Sequence, residues 1–182
     1  NFFAHKAMDV YCNELTEAVI LREFPYAFAE HKYPGVPEIH LHTLDTTPFW
    51  VGDIPVHPIL VWHLKMPVLG FRFGAFTYIT DANRIEEGEQ QKVKGSTHLV
   101  LNALRREPHI SHFTLSEALA MADLLEADQA YFTHISHQLG EHEAVSQHLP
   151  AGRFLAFDQL KLEIPSFEQG GKTPDSGFIS IG

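Results

Sequence analysis

The chain has 182 residues, 45% of them apolar and 20% charged, with a formal net charge of −10 when its histidines are neutral. That is enough for one soluble domain with a buried core, and the acidic balance argues against a general nucleic-acid or anionic-membrane surface. Cys12 is the single cysteine, so no intrachain disulfide forms and a reducing, cytoplasmic setting is expected, and no apolar run reaches the roughly 18 residues of a membrane span.

In chain order, Met8–Cys12 reads as a short strand. Asn13 offers an N-cap to a helix reaching about Glu23, with Glu14 and Glu17 suited to its first turn. Phe24–Gly35 is aromatic and irregular and ends in a Tyr33-Pro34-Gly35 turn. Strands are expected at Glu38–Leu44, Phe49–Val51 and Ile54–Trp62, with Pro55 and Pro58 placing the last at an edge or a bulge. Leu69–Phe73 and Ala75–Ile79 read as a hairpin around Gly74. Ile85–Lys94 is polar and helical, weakened by Gly88, and Thr97–Leu104 is a buried strand. The clearest helix is Thr114–Ala127, where Leu115, Ala118, Leu119, Ala122 and Leu125 form one stripe. Strand Gln129–Thr133, a helix at Gly140–His148 stopped by Pro150 and Gly152, and strands Arg153–Phe157 and Leu160–Ile164 complete a single domain over residues 1–164. Residues 165–182, rich in Gly, Ser and Pro, read as a flexible tail. Periodicity alone gives a mixed α/β fold.

The candidate chemistry sits where strands end. His63 follows the apolar run Ile59-Leu60-Val61, Asp81 closes the hairpin's second strand, and His134 closes Tyr131-Phe132-Thr133. Imidazole and carboxylate on strand-end loops are the donor set for zinc, manganese or iron. The plainer readings are a rim histidine at His63, a helix cap at Asp81, and a cap or loop contact for His112 before the long helix. His57 is a rival to His63. His40 and His42 share one face of their strand, although an ordinary alternating strand accounts for them more simply. His109, His142 and His148 read as surface residues, and Arg105 and Arg106 as solvated.

Four segments carry a resemblance: H-x-K-x-P-V-L-G-F-R…Y-I-T-D from His63 to Asp81, H-F-T-L-x-E-A-L from His112, F-T-H-I-S-H-Q from Phe132, and L-P-A-G…A-F-D from Leu149. In order and spacing they resemble the metallo-β-lactamase-fold phosphodiesterases, nearest to the phosphoribosyl cyclic phosphate phosphodiesterase branch, over Pro55–Ile164. The resemblance implies an α/β/β/α sandwich and two divalent transition metals, zinc or manganese. His63 would bind one metal, His134 the other, and Asp81 would bridge them; a hydroxide between the metals would attack a cyclic phosphate or similar small anionic phosphodiester. His112 matches a non-ligand catalytic histidine facing the scissile phosphate, where it would stabilise charge or protonate the leaving alkoxide. His137 would lie near the substrate or behind His134, and residues 24–35 would shape the substrate entrance or a homodimer contact. The alternatives are another hydrolase on this scaffold (a tRNA 3′-processing nuclease, a thioester or lactone hydrolase) or a non-catalytic fragment. Two departures stand out. The chain has Asp158-Gln159 where the family usually has Asp-Gly, and it has no H-x-H-x-D-H segment. It therefore reads as the C-terminal two-thirds of such an enzyme, with metal held weakly and little activity expected of this chain alone.

Overall fold

The computed structural model describes residues 6–164 and the backbone of 177–181. The chain divides into two compact units, Asn1–Thr47 and Pro48–Gly182. In the first, strand β1 (Met8–Asn13) leads into helix α1 (Glu14–Glu23), a one-turn helix α2 (Pro25–Phe28) and strand β2 (Ile39–Leu44). The Asn13 side chain caps α1 by accepting from the Thr16 amide at 2.9 Å, as the sequence predicts. Within the stretch expected to be irregular, Pro25 supplies a first-turn φ that starts α2. β1 and β2 are parallel, from Met8 opposite Ile39 to Asn13 opposite Leu44.

The second unit is built on an eight-stranded sheet. Its elements are β3 (Phe49–Val51), β4 (Ile54–His63), β5 (Met66–Phe73), β6 (Phe76–Ile79), β7 (Arg84–Ile85), α3 (Glu87–Val93), β8 (His98–Asn102), α4 (Leu115–Leu124), β9 (Gln129–Thr133), α5 (His142–Ser146), β10 (Arg153–Leu155), β11 (Leu160–Ile164) and β12 (Gly177–Ile181). The strand order is β10-β9-β8-β6-β5-β4-β3, with β7 beside β4. β6, β8, β9 and β10 run parallel, while β3 to β6 form an antiparallel meander. The long β4 tolerates its prolines because its outer side pairs with β3 only over Ile54–Val56 and with β7 only over Val61–Trp62, so Pro58 falls where no neighbour needs its missing N–H.

Alternation along β8 sorts the two faces. Leu99 and Leu101 enter a core with Ala118 and Ala122 of α4, whereas Val100 packs with Phe76, Tyr131, Leu162 and Ile164. The sheet is thus covered by helix on one face and by β11 on the other, the helix–sheet–sheet part of the expected sandwich. Thr114 and Glu117 close a reciprocal capping box at the start of α4.

The boundaries differ from expectation at several elements, among them β5, which starts at Met66 and not Leu69, and β10, which ends at Leu155 and not Phe157. Ile85 joins a strand instead of opening a helix, because it pairs with Val61. α4 stops at Leu124, and Glu126 turns the chain with a left-handed φ of 55°. Gly177–Ile181, expected in the tail, forms an antiparallel strand against Leu160–Ile164; residues 165–176 and 182 lie outside the described residues. In the β10–β11 turn, Gln159 holds a left-handed φ of 70° where the family's glycine would fit without a Cβ penalty. Gln159→Gly is expected to stabilise the protein by about 0.5–1 kcal/mol, because relief of that penalty exceeds the extra freedom glycine gives the unfolded chain. The check is a rise in urea midpoint at constant slope.

Candidate metal and catalytic centre

Three strand ends and one loop converge. His63 is the last residue of β4, Asp81 lies just past β6, His134 directly follows β9, and His112 lies in the loop from β8 to α4. Ligand atoms of His63, Asp81 and His112 all fall within 4.8 Å of one another, the one such trio among the described residues. Asp81 Oδ1 is 3.1 Å from His112 Nε2 and 3.3 Å from His134 Nε2. The His112 ring meets His63 edge-on at 4.6 Å and stacks on His134 at 4.8 Å. One carboxylate therefore faces three imidazoles.

The turn carrying Asp81 is braced from three sides. Asn102, fully buried at the end of β8, accepts from the Ala82 amide and donates to the Ala82 carbonyl, both at 2.9 Å. The Asn83 amide donates to the Trp62 carbonyl, and Asn83 Oδ1 accepts from the Leu64 amide, tying the turn to the end of β4 beside His63. The Phe113 amide donates to the Ala82 carbonyl and Asn83 Nδ2 to the Ile110 carbonyl, bringing in the loop that holds His112. Asp81 and His134 both adopt left-handed backbone, at φ 53° and 57°. Such residues cluster at functional sites, where surrounding structure holds what the chain would avoid.

Burial, more than any neighbour, pushes the His112 imidazole below its usual pKa; the hydrogen bond to Asp81 opposes this, while His134 and His63 reinforce it. His112 thus favours the neutral ring, which has a lone pair to offer.

All four residues singled out from sequence, His63, Asp81, His112 and His134, meet here. The sequence reading kept His112 apart from the ligands, and the fold puts one of its ring nitrogens within the same 4.8 Å group as His63 and Asp81. His57, exposed and opposite Arg72 on β4, is not in that group. His40 and His42 belong to the first unit and face Asp9, with His42 Nε2 at 2.8 Å. His137 opens a short 3-10 turn capped by Ser136. Two residues read as surface groups prove to be built in. His109 Nδ1 lies 3.1 Å from His112 Nδ1, and Arg105 donates to Gln138 Oε1 and the Pro108 carbonyl, bridging the loops after β8 and β9. The available signal for His109 was its i, i+3 spacing from His112 in a short loop.

A β-lactamase superfamily domain model matches residues 2–135. The chain belongs to the β-lactamase superfamily. Among superfamily structures, a diphosphatase from the PhnP family superposes with a TM-score of 0.80 at 34% identity, over 88% of this chain and 60% of that one. Zinc-bound PqqB from Methylobacterium extorquens shares the fold, with a TM-score of 0.64 at 15% identity over 85% of this chain and 64% of that one. An octanoyltransferase from Porphyromonas gingivalis is 28% identical over 159 residues, 86% of this chain but 32% of that protein. The chain thus spans about a third of that protein and 60% of the diphosphatase.

The donor set fits a divalent transition metal: ligand atoms at about 2.0–2.2 Å from zinc lie roughly 3–4.4 Å apart, close to the observed spacing. Asn102→Ala leaves the buried Ala82 amide without its acceptor. It is expected to cost about 2–4 kcal/mol and to weaken binding of an added divalent metal in step, read by urea denaturation and metal analysis. A variant as stable as the parent would show that Asn102 does not hold the Asp81 turn.

Proposed function

We propose that this chain carries the catalytic core of a metal-dependent phosphodiesterase acting on a cyclic phosphate or similar small anionic diester. The observation that carries the reading is a carboxylate, Asp81, in hydrogen-bond range of His112 and His134 and beside His63 on converging strand ends. The 34% identity to a PhnP-family diphosphatase supports the same reaction class.

In this reading His63, Asp81 and His134 would hold the divalent metal. When bound, such a metal supplies Lewis acidity and lowers the pKa of water. The rest falls to the chain. The braced turn fixes Asp81, so little reorganisation accompanies binding. His112 lies against Asp81, His63 and His134, where its Nε2 can take up a proton and give it to the leaving oxygen. A cleft of about 210 Å³ lined by Tyr78, His134, Phe157 and Asp158 opens beside His134, room for part of a small substrate. The charge of −10 does not oppose an anionic diester, because bound cations dominate the local field.

A second reading, hydrolysis of an acyl thioester by the same centre, is favoured by the similarity to part of an octanoyltransferase. The two separate on substrates. Joined to an H-x-H-x-D-H segment and loaded with zinc or manganese, the protein should cleave bis(p-nitrophenyl) phosphate and leave an octanoyl thioester intact; the reverse preference would reject the phosphodiesterase. Asp81→Ala should lose both metal and turnover. His112→Ala should keep its metal and lower kcat by about 10²–10⁴-fold. Metal loss in His112→Ala would make that residue a ligand.

A further inference from the structure

The loop from β8 to α4 is pinned at its two ends. The Leu104 amide donates to the Phe113 carbonyl at 3.0 Å, and the Leu115 amide donates to the Arg105 carbonyl at 2.9 Å. Between these pins the chain makes an excursion over residues 106–112, in which Arg106, Glu107, Pro108 and Ile110 are exposed and His112 is buried. A segment with so few buried apolar side chains lies where its polar contacts hold it. Arg105 supplies such contacts. Its Nε donates to the Glu107 carbonyl at 3.2 Å and its Nη2 to the Pro108 carbonyl at 2.9 Å, while Nη1 crosses to Gln138 Oε1 at 2.8 Å.

Gln138 is a firm anchor for that third bond. It stands in the 3-10 turn His137–Leu139, its amide donates to Ser136 Oγ, and the neighbouring Leu139 is buried in the core beneath α4. The half-buried Arg105 guanidinium thus ties the excursion carrying His112 to the loop carrying His134. Arg22, Arg84 and Arg153 each lie against a carboxylate, whereas the three bonds from Arg105 all end on neutral oxygens. A planar fork with donors in fixed directions acts there by geometry more than by charge.

We propose that Arg105 is a positioning residue: through Gln138 it sets the spacing of the His112 and His134 rings. Those rings stack at 4.8 Å with their planes 14° apart, although they stand on separate loops. Bonds from the Ala103 amide to the Thr133 carbonyl and from the Ser136 amide to the Leu104 carbonyl join the two loops at their roots. The fork adds a tie beyond His134. It also holds the carbonyls just before His109, whose ring backs His112 at 3.1 Å. Misplacing a catalytic group by about 1 Å costs roughly 10²-fold in rate, so a tie of this kind has leverage on turnover. The inference takes its catalytic meaning from the phosphodiesterase reading and rests on it there. The ring spacing is measurable without metal or turnover.

The test isolates the bond between the loops. Gln138→Leu removes the acceptor of Nη1 from an exposed side chain and leaves both bonds of Arg105 to its own loop; Gln138→Glu keeps an oxygen for the same donor. In the metal-free chain, ring protons of His112 and His134 should show a nuclear Overhauser effect, assigned by its loss in His112→Gln and in His134→Gln. Gln138→Leu should lose most of that intensity at an unchanged urea midpoint, and Gln138→Glu should keep it. In the metal-loaded protein joined to an H-x-H-x-D-H segment, Gln138→Leu should lower kcat on bis(p-nitrophenyl) phosphate by about 10–100-fold with KM unchanged, and Gln138→Glu should restore it. Arg105→Lys cannot span the three oxygens, and adding Gln138→Leu to it should lower kcat no further. A parent chain without the Overhauser effect overturns the proposal. So does a folded Gln138→Leu that keeps the parental effect, or one that keeps the kcat of an active parent. A parent without phosphodiester turnover but with the expected Overhauser pattern would reject the proposed reaction and leave the positioning role standing.

Discussion

Everything in the centre hangs on the three-residue turn Asp81-Ala82-Asn83. Its backbone is gripped by Asn102 from β8, by Trp62 near the end of β4 and by Phe113 at the entrance to α4, and the Asn83 side chain is held by the Leu64 amide. Each bond is worth only about 1 kcal/mol net, but several are buried, and leaving a buried amide unpaired costs about 1–3 kcal/mol. Losing one grip therefore destabilises the turn by more than the bond itself, and the histidine beside that grip shifts with it.

Asp81 and His134 both stand in left-handed backbone one or two residues beyond the parallel strands β6 and β9. Such a conformation costs an L-residue roughly 1–2 kcal/mol. The end of β8, which lies between those strands, offsets the cost on both sides: Asn102 clamps Ala82, while the Ala103 amide donates to the Thr133 carbonyl and the Leu104 carbonyl accepts from Ser136. The two residues are aimed by a rigid sheet, and a centre that must hold separate donors at fixed spacing needs that rigidity.

Much of this was legible beforehand. Apolar alternation located β4, β8 and β9 within one or two residues, and Thr114 with Glu117 marked the start of α4. His63, Asp81 and His134 stood out because each closes an apolar run, which is where a sheet delivers side chains to a rim. The supports were not legible in the same way. Asn102 looked like one more residue of an apolar strand, and only the position of Ala82 across the sheet shows what its amide satisfies. His109 and Arg105 looked solvent-facing because their partners, His112 and Gln138, are brought to them by loop geometry that periodicity does not encode.

By itself, then, the order of residues determined most strands and helices and which side chains stand at strand ends, because side-chain period and capping chemistry are local. Only the tertiary structure decided that one carboxylate faces three imidazoles, that Asp81 and His134 take left-handed backbone, and which nitrogen of His112 faces Asp81. Those depend on strand order, on hydrogen bonds between residues 20 to 31 positions apart, and on burial, which lowers the affinity of His112 for its second proton.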